Sequence, residues 1–216
     1  MEHALNADER KRLDLRIAEA ENRTGAQIVL AVIQRSDAYH ELPWKAFAMG
    51  ASLAALAVFI SNILPSPSSP LISALSIIVT ILAAGGCFAI SCVFIPAFAR
   101  LFLSRHRAEA ETKQYAESLF LSRQLFATKD RRAVLVLVSL FERRIVVLPD
   151  TGLVDQLDPG TTNLIIDAMR PLLKAGRIAQ ALETGLEKLE EMIRLDGKPQ
   201  SPDSQLSNGI IEEQGT

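Results

Sequence analysis

Two stretches without a single charged residue, Ala46 to Leu64 and Leu71 to Ala99, constrain this chain more than any other feature. About twenty apolar residues cross the hydrocarbon core of a bilayer. The first run just reaches that length, while the second exceeds it and can tilt or bring its end near Pro96 into the interface. Between them, Pro65-Ser66-Pro67-Ser68-Ser69-Pro70 cannot continue a helix, because proline lacks the amide donor and disfavours helix at the residue before it. The prediction is a two-helix transmembrane hairpin with spans of about 46–64 and 71–96. A soluble alternative would bury both helices in protein, and the remaining chain is too small to wrap them.

The flanks set the orientation. Arg35 and Lys45 precede the hairpin, Arg100, Arg105 and Arg107 follow it, and the connecting turn is uncharged. The positive-inside rule then places both termini and the rest of the chain on the cytosolic side of the inner membrane, with Trp44 as an interfacial anchor. No ionisable residue lies within either span, so the usual mark of a proton relay or ion pathway is missing. Ala83-Ala84-Gly85-Gly86 offers a smooth surface for helix contact.

Composition agrees with segregation: 49% of the residues are hydrophobic while 22% are charged. A formal net charge of −2 gives no electrostatic case for nucleic acid, which wants a basic domain. Cys87 and Cys92 are five residues apart, turned about 140° from each other on a helix, which disfavours a disulfide or a shared metal. The polar run Ala7 to Arg12, with no apolar core and small-residue cleavage site following it in the first thirty residues, argues against a cleaved secretory signal.

Outside the hairpin the pattern is α/β. Asn6 and Glu9 form a capping-box signature for a helix reaching about Glu21 or Asn22, with Leu13, Ile17 and Ala20 inward. Asn22 to Gly25 is turn chemistry, and Ala26 to Ile33 reads as a strand covered on both faces. After the hairpin, Arg105 to Leu125 reads as helix, with Ala108, Ala116, Leu119, Phe120 and Phe126 as core contacts. Strands at Ala133 to Leu140 and Arg144 to Leu148 flank a tight turn. Helices follow at Pro159 to Lys174, with Ile165, Met169 and Leu172 inward, and at Ile178 to Leu195. Strand 26–33 must find its backbone partners in the strands beyond the hairpin. The organisation expected is therefore one soluble α/β domain in two parts, 1–44 and 101–195, interrupted by the hairpin at 45–100. It sits near the bilayer surface and ends in a disordered tail at 196–216 of Gly, Pro, Ser and Gln.

Thr24-Gly25-Ala26-Gln27-Ile28-Val29-Leu30 and the run from Thr128 to Gly152 resemble the TPM domain, also called TPM phosphatase, in its bacterial membrane-bound branch with a transmembrane hairpin inserted in the domain. The resemblance covers about residues 8–35 and 105–194. It rests on Thr24-Gly25, the strand Val134 to Ser139, Glu142-Arg143 at the turn and Asp150-Thr151-Gly152. It implies an α/β/α sandwich, a role in assembly or maintenance of membrane complexes and, for some members, phosphomonoester hydrolysis. The chain departs from the family pattern at Arg132-Ala133, where glycine is usual, and at Gly152-Leu153-Val154, where many members carry Gly-Leu-Glu.

Signatures of catalysis are missing: there is no phosphate-binding glycine loop, His-Glu-x-x-His, Gly-x-Ser-x-Gly or Cys-x-x-Cys. His3, His40 and His106 are isolated. Asp150, Asp155 and Asp158 share one loop, and converging carboxylates can hold a hard cation such as Ca²⁺. The plainer reading is loop and cap aspartates, with Asp158 just before Pro159 at a helix start. Arg131, Arg132, Arg143 and Arg144 flank the strands and could face anionic lipid or a phosphate, although charged turns beside a hairpin are ordinary. No catalytic residue is assigned. The expectation is a non-enzymatic accessory factor whose partners are the bilayer and another membrane protein, with self-association as a further option. A weak metal-dependent phosphatase is the alternative.

Overall fold

The computed structural model describes residues 5–62, 70–193, 210–213 and 215. The chain divides into two compact units, Met1–Asp37 with Glu109–Thr216, and Ala38–Ala108.

The first unit is built on a mixed sheet of four strands among the described residues, in the order β3-β2-β1-β4. β1 (Gln27–Ile33) pairs in parallel with β2 (Ala133–Ser139), from Gln27 opposite Ala133 to Ile33 opposite Ser139. Strand 26–33 thus has the partner that its backbone requires, and β2 is buried along its whole length, as a central strand covered on both faces should be. β3 (Arg144–Pro149) returns antiparallel to β2 through the expected turn, where Arg143 adopts φ 54°.

Side chains alternate between two apolar layers. Ile28, Leu30, Val32, Val134, Val136 and Val138 meet α1 (Ala7–Thr24), α6 (Pro159–Lys174) and α7 (Ile178–Met192) through Leu13, Ile17, Ile165, Met169, Leu182 and Leu186. Ala31, Ile33, Leu135 and Leu137 meet Ala116, Leu119 and Phe120 of α5 (Arg105–Ser122). This is the α/β/α arrangement. The Asn6 side chain accepts from Glu9 N at 2.8 Å and Glu9 Oε2 accepts from Asn6 N at 2.9 Å, a reciprocal cap of the kind that contributes about 1 kcal/mol. α1 continues through the expected turn to Thr24, because the Thr24 hydroxyl bonds back to Ala20 O and Gly25, at φ 63°, supplies the left-handed cap.

Two expectations need correction. Phe126 is 38% exposed, and its neighbour Leu125 takes the core position. Gln124 at φ 53° ends the helix, and the tight 3₁₀ turn Leu125–Ala127 directs Leu125 inward. The expected tail is not without structure either: Ile211–Glu213 forms β4, parallel to β1 with Ala31 opposite Ile211 and Ile33 opposite Glu213. The exposed edge of β1 supplies hydrogen bonds that composition cannot foretell. Within that segment, 196–209, 214 and 216 lie outside the described residues.

The second unit holds α2 (Glu41–Asn62), α3 (Pro70–Phe94) and the short α4 (Pro96–Ala99), with α2 and α3 packed directly together. Most of the predicted turn at 65–70 lies outside the described residues. Within α2 and α3, Glu41–Ser61 and Ala74–Phe94 are long and apolar enough to cross a membrane, with mean hydropathies of 1.5 and 2.4. Only 11% of each is buried, whereas a core helix of a soluble protein is mostly buried. Leu53, Phe59, Ile78, Val79, Val93 and Phe94 all point outward. The predicted small-residue surface is used at Gly85, where an added Cβ would lie 2.7 Å from the Phe47 ring, but Gly86 is open. Gly50, which the sequence reading passed over, is held just as tightly against Phe88. Cys87 and Cys92 are not joined in a disulfide, the first being exposed and the second buried.

Candidate functional site

The loops before β2 and after β3 meet at one end of the sheet. Asp130 and Arg131 enter β2 at φ 59° and 55°, two consecutive residues in a region that costs a non-glycine side chain of order 1–3 kcal/mol each. What holds them is Gly152. Its N–H donates to Arg131 O at 3.0 Å, and a Cβ there would strike the Asp130 carbonyl, so only glycine allows this approach. Asp150 N–H donates to Ala133 O at 2.8 Å, and Leu153 is fully buried in the core, which fixes both ends of the loop.

The Asp150 side chain is buried and accepts through one oxygen only. Oδ1 takes Arg131 Nε at 3.1 Å, Arg131 Nη2 at 2.8 Å and Thr151 N at 2.7 Å. Oδ2 is buried without a hydrogen-bond partner among the described residues. The half-exposed Arg131 guanidinium also lies 5.9 Å from the centre of the Phe126 ring. Asp155 is exposed. Asp158 is exposed too and caps α6, where the Thr161 hydroxyl and then its backbone N–H, at 2.7 Å from Oδ1, hold its carboxyl below the usual range. The structure therefore does not bring Asp150, Asp155 and Asp158 together. Among the described residues, no group of three or more His, Cys, Asp and Glu side chains is placed to hold a metal ion. The arginines are divided as well: Arg132 donates to Thr24 O at 3.2 Å beside this loop, while Arg143 and Arg144 stand at the opposite end of the sheet.

At that opposite end lies a polar cluster that sequence reading missed. Buried Glu142 accepts from Ser36 N at 2.9 Å and Ser36 Oγ at 2.6 Å with Oε1, and from the Ser139 hydroxyl with Oε2. Ser36 Oγ is 3.4 Å from Thr112 Oγ1. Glu142 reads as a solvated turn residue in sequence, and nothing local shows that Ser36 closes over it. The cluster lies at the carboxyl ends of β1 and β2, the end of an open α/β sheet where ligands usually bind.

A third buried carboxylate, Glu21, accepts Ile28 N–H at 2.9 Å on the edge of β1. Burial pushes its carboxyl upward, and the Ile28 bond offsets this only in part.

Residues 96–192 match the TPM domain family profile, which spans the Asp130–Gly152 loops and α6 and α7. The chain carries a TPM domain. The solution NMR structure of the BA42 protein from the psychrophilic bacterium Bizionia argentinensis is similar to it at a TM-score of 0.54 and 16% identity, over 99% of this chain and 98% of that one. At that identity the likeness speaks for the fold alone. No curated protein matches the sequence. In the TPM domain described here, the buried Asp150 carboxylate is neutralised by Arg131, one of the two strained residues of the same chain.

Proposed function

We propose that this is a two-pass membrane protein of the inner membrane whose TPM domain, facing the cytosol, works as a non-enzymatic accessory in assembly or maintenance of a membrane complex. The observation that supports it most is the Arg131–Asp150 pair. A loop carboxylate that is to hold a cation or activate water needs free lone pairs in an accessible site. Here Oδ1 is taken by Arg131 and Thr151 and Oδ2 is buried. The outward apolar residues of α2 and α3 support the membrane part, since such faces find their partner in lipid or in other membrane helices. Exposed Trp44 next to Lys45 suits the interface, and the basic flanks favour the cytosolic side.

Purification in a gentle detergent tests this reading, followed by comparison of membrane complexes in cells with and without the gene. Stoichiometric recovery with another membrane protein, lost on deletion, is the expected result. A protein that comes out alone and whose deletion changes no complex removes the proposal. The phosphatase alternative follows from the TPM resemblance. It predicts phosphomonoester hydrolysis that falls with a chelator and in Asp150→Ala.

A further inference from the structure

The geometry points to the β4-facing edge of β1 as a docking site for an extended segment of sequence type aliphatic-aliphatic-acidic-acidic, running parallel to β1, which β4 covers in cis. The inference holds whether or not the domain is an enzyme.

β4 shows what this edge accepts. Successive residues alternate between the two layers, as a strand requires. Ile210, 7% exposed, joins the core over α1 and α7, and Ile211 packs against the α5 layer. Glu212 pairs with Arg10 of α1 at 3.1 Å. Glu213 pairs with Arg123 of α5 at 3.1 Å and accepts from the Tyr115 hydroxyl at 2.7 Å. Burial, and then the Glu213 carboxylate, push the Tyr115 phenol far above its ordinary value, so it remains a donor. The backbone completes the match: Gln34 N–H donates to Glu213 O at 3.2 Å, and Ile210 N–H donates to Asp14 Oδ1 at 3.2 Å. Gly215 stands where any Cβ would strike the Arg35 carbonyl, which fixes the register.

The cover is also short. β4 pairs with only Ala31, Val32 and Ile33 of β1, and a cleft of about 600 Å³ beside it is lined by Arg10, Val29, Arg123 and Leu125. Beyond the packing of Ile210 and Ile211, the attachment is three paired residues and two ion pairs whose arginines are 41% and 49% exposed, and such pairs contribute little each. Addition of a strand to a sheet edge is a general mode of peptide recognition, with backbone bonds giving affinity and alternate side chains giving specificity.

The test uses the full chain in detergent, a variant ending at Asn208, and a fluorescent peptide of residues 208–216 as probe. Tethering gives a strand a high effective concentration, so the shortened chain should bind the peptide roughly tenfold or more tightly than the full chain. A peptide carrying Glu212→Lys and Glu213→Lys should not bind it. Arg10→Glu with Arg123→Glu in the shortened chain should reverse that preference. Equal binding by full and shortened chains, or indifference to charge reversal, overturns the proposal. So does absence of binding by a shortened chain whose circular dichroism is unchanged. If shortening unfolds the domain, Glu212→Lys/Glu213→Lys in the full chain serves instead: increased binding of the native peptide supports the site, and no increase removes it. Recovery of two differently tagged copies together, only when residues 209–216 are present, would show that a neighbouring copy supplies the strand and would overturn the cis cover.

Discussion

Arg131 donates from Nε and Nη2 to the same oxygen of Asp150, at 3.1 and 2.8 Å, and leaves the other oxygen buried without a partner among the described residues. The pair is asymmetric, because Asp150 is buried while Arg131 is half exposed. Arg131→Ala should therefore cost more than Asp150→Asn. The first strands a buried carboxylate, with a loss of about 1–3 kcal/mol, whereas the second leaves a guanidinium that water can solvate. The double variant should lose less than the sum of the two. Denaturant unfolding of the four proteins measures this, and additive losses would show that the two side chains act separately.

Gly152 should be intolerant of even the smallest side chain. The Cβ of Gly152→Ala meets backbone, which cannot rotate away, so a loss of about 1–3 kcal/mol is expected. Gly160→Ala, where the nearest neighbour lies at 3.5 Å, should stay close to wild type and serves as the control.

The raised carboxyl of Glu21 has a defined sign. The folded state binds this proton more tightly than the unfolded state, so its contribution is fully present at low pH. It is lost as pH rises from the ordinary glutamate range through the elevated folded value. Glu21→Gln keeps an acceptor for Ile28 N–H and removes the charge. Its melting temperature relative to wild type should rise progressively across that window. A difference that does not vary with pH would show that Glu21 does not titrate with folding.

Membrane topology can be read directly. In a background lacking Cys87 and Cys92, an impermeant thiol reagent applied to intact cells should label Ser68→Cys and spare Ser201→Cys. The opposite pattern would reverse the orientation, and labelling of both would remove the cytosolic placement of the domain.

Much of the fold was legible because the signals were local or obligatory. Asn6 and Glu9 carry their own capping chemistry, and a strand such as 26–33, apolar on both faces, must lie inside a sheet. β4 was not legible. Ile211–Glu213 has no alternation long enough to see, and it becomes a strand through the β1 edge and the side chains of Arg10, Arg123 and Tyr115. The aspartates misled for a related reason. Proximity along a loop says nothing of direction, and Asp158 turns toward a helix N-terminus while Asp150 turns toward Arg131. The Glu142 cluster was hidden because Ser36, which donates to Glu142, and Thr112, which touches Ser36, come from distant parts of the chain.

The parallel pairing of β1 with β2 also dictates an order of events during synthesis. Residues 27–33 leave the ribosome well before residues 133–139, and the whole helical pair is made in between. A ladder between segments so far apart closes slowly, because chain entropy must be lost before any contact rewards it. The nascent chain consequently holds a very apolar strand with both edges bare while α2 and α3 are being translated. Whatever receives those helices also sets how long β1 must remain protected from aggregation.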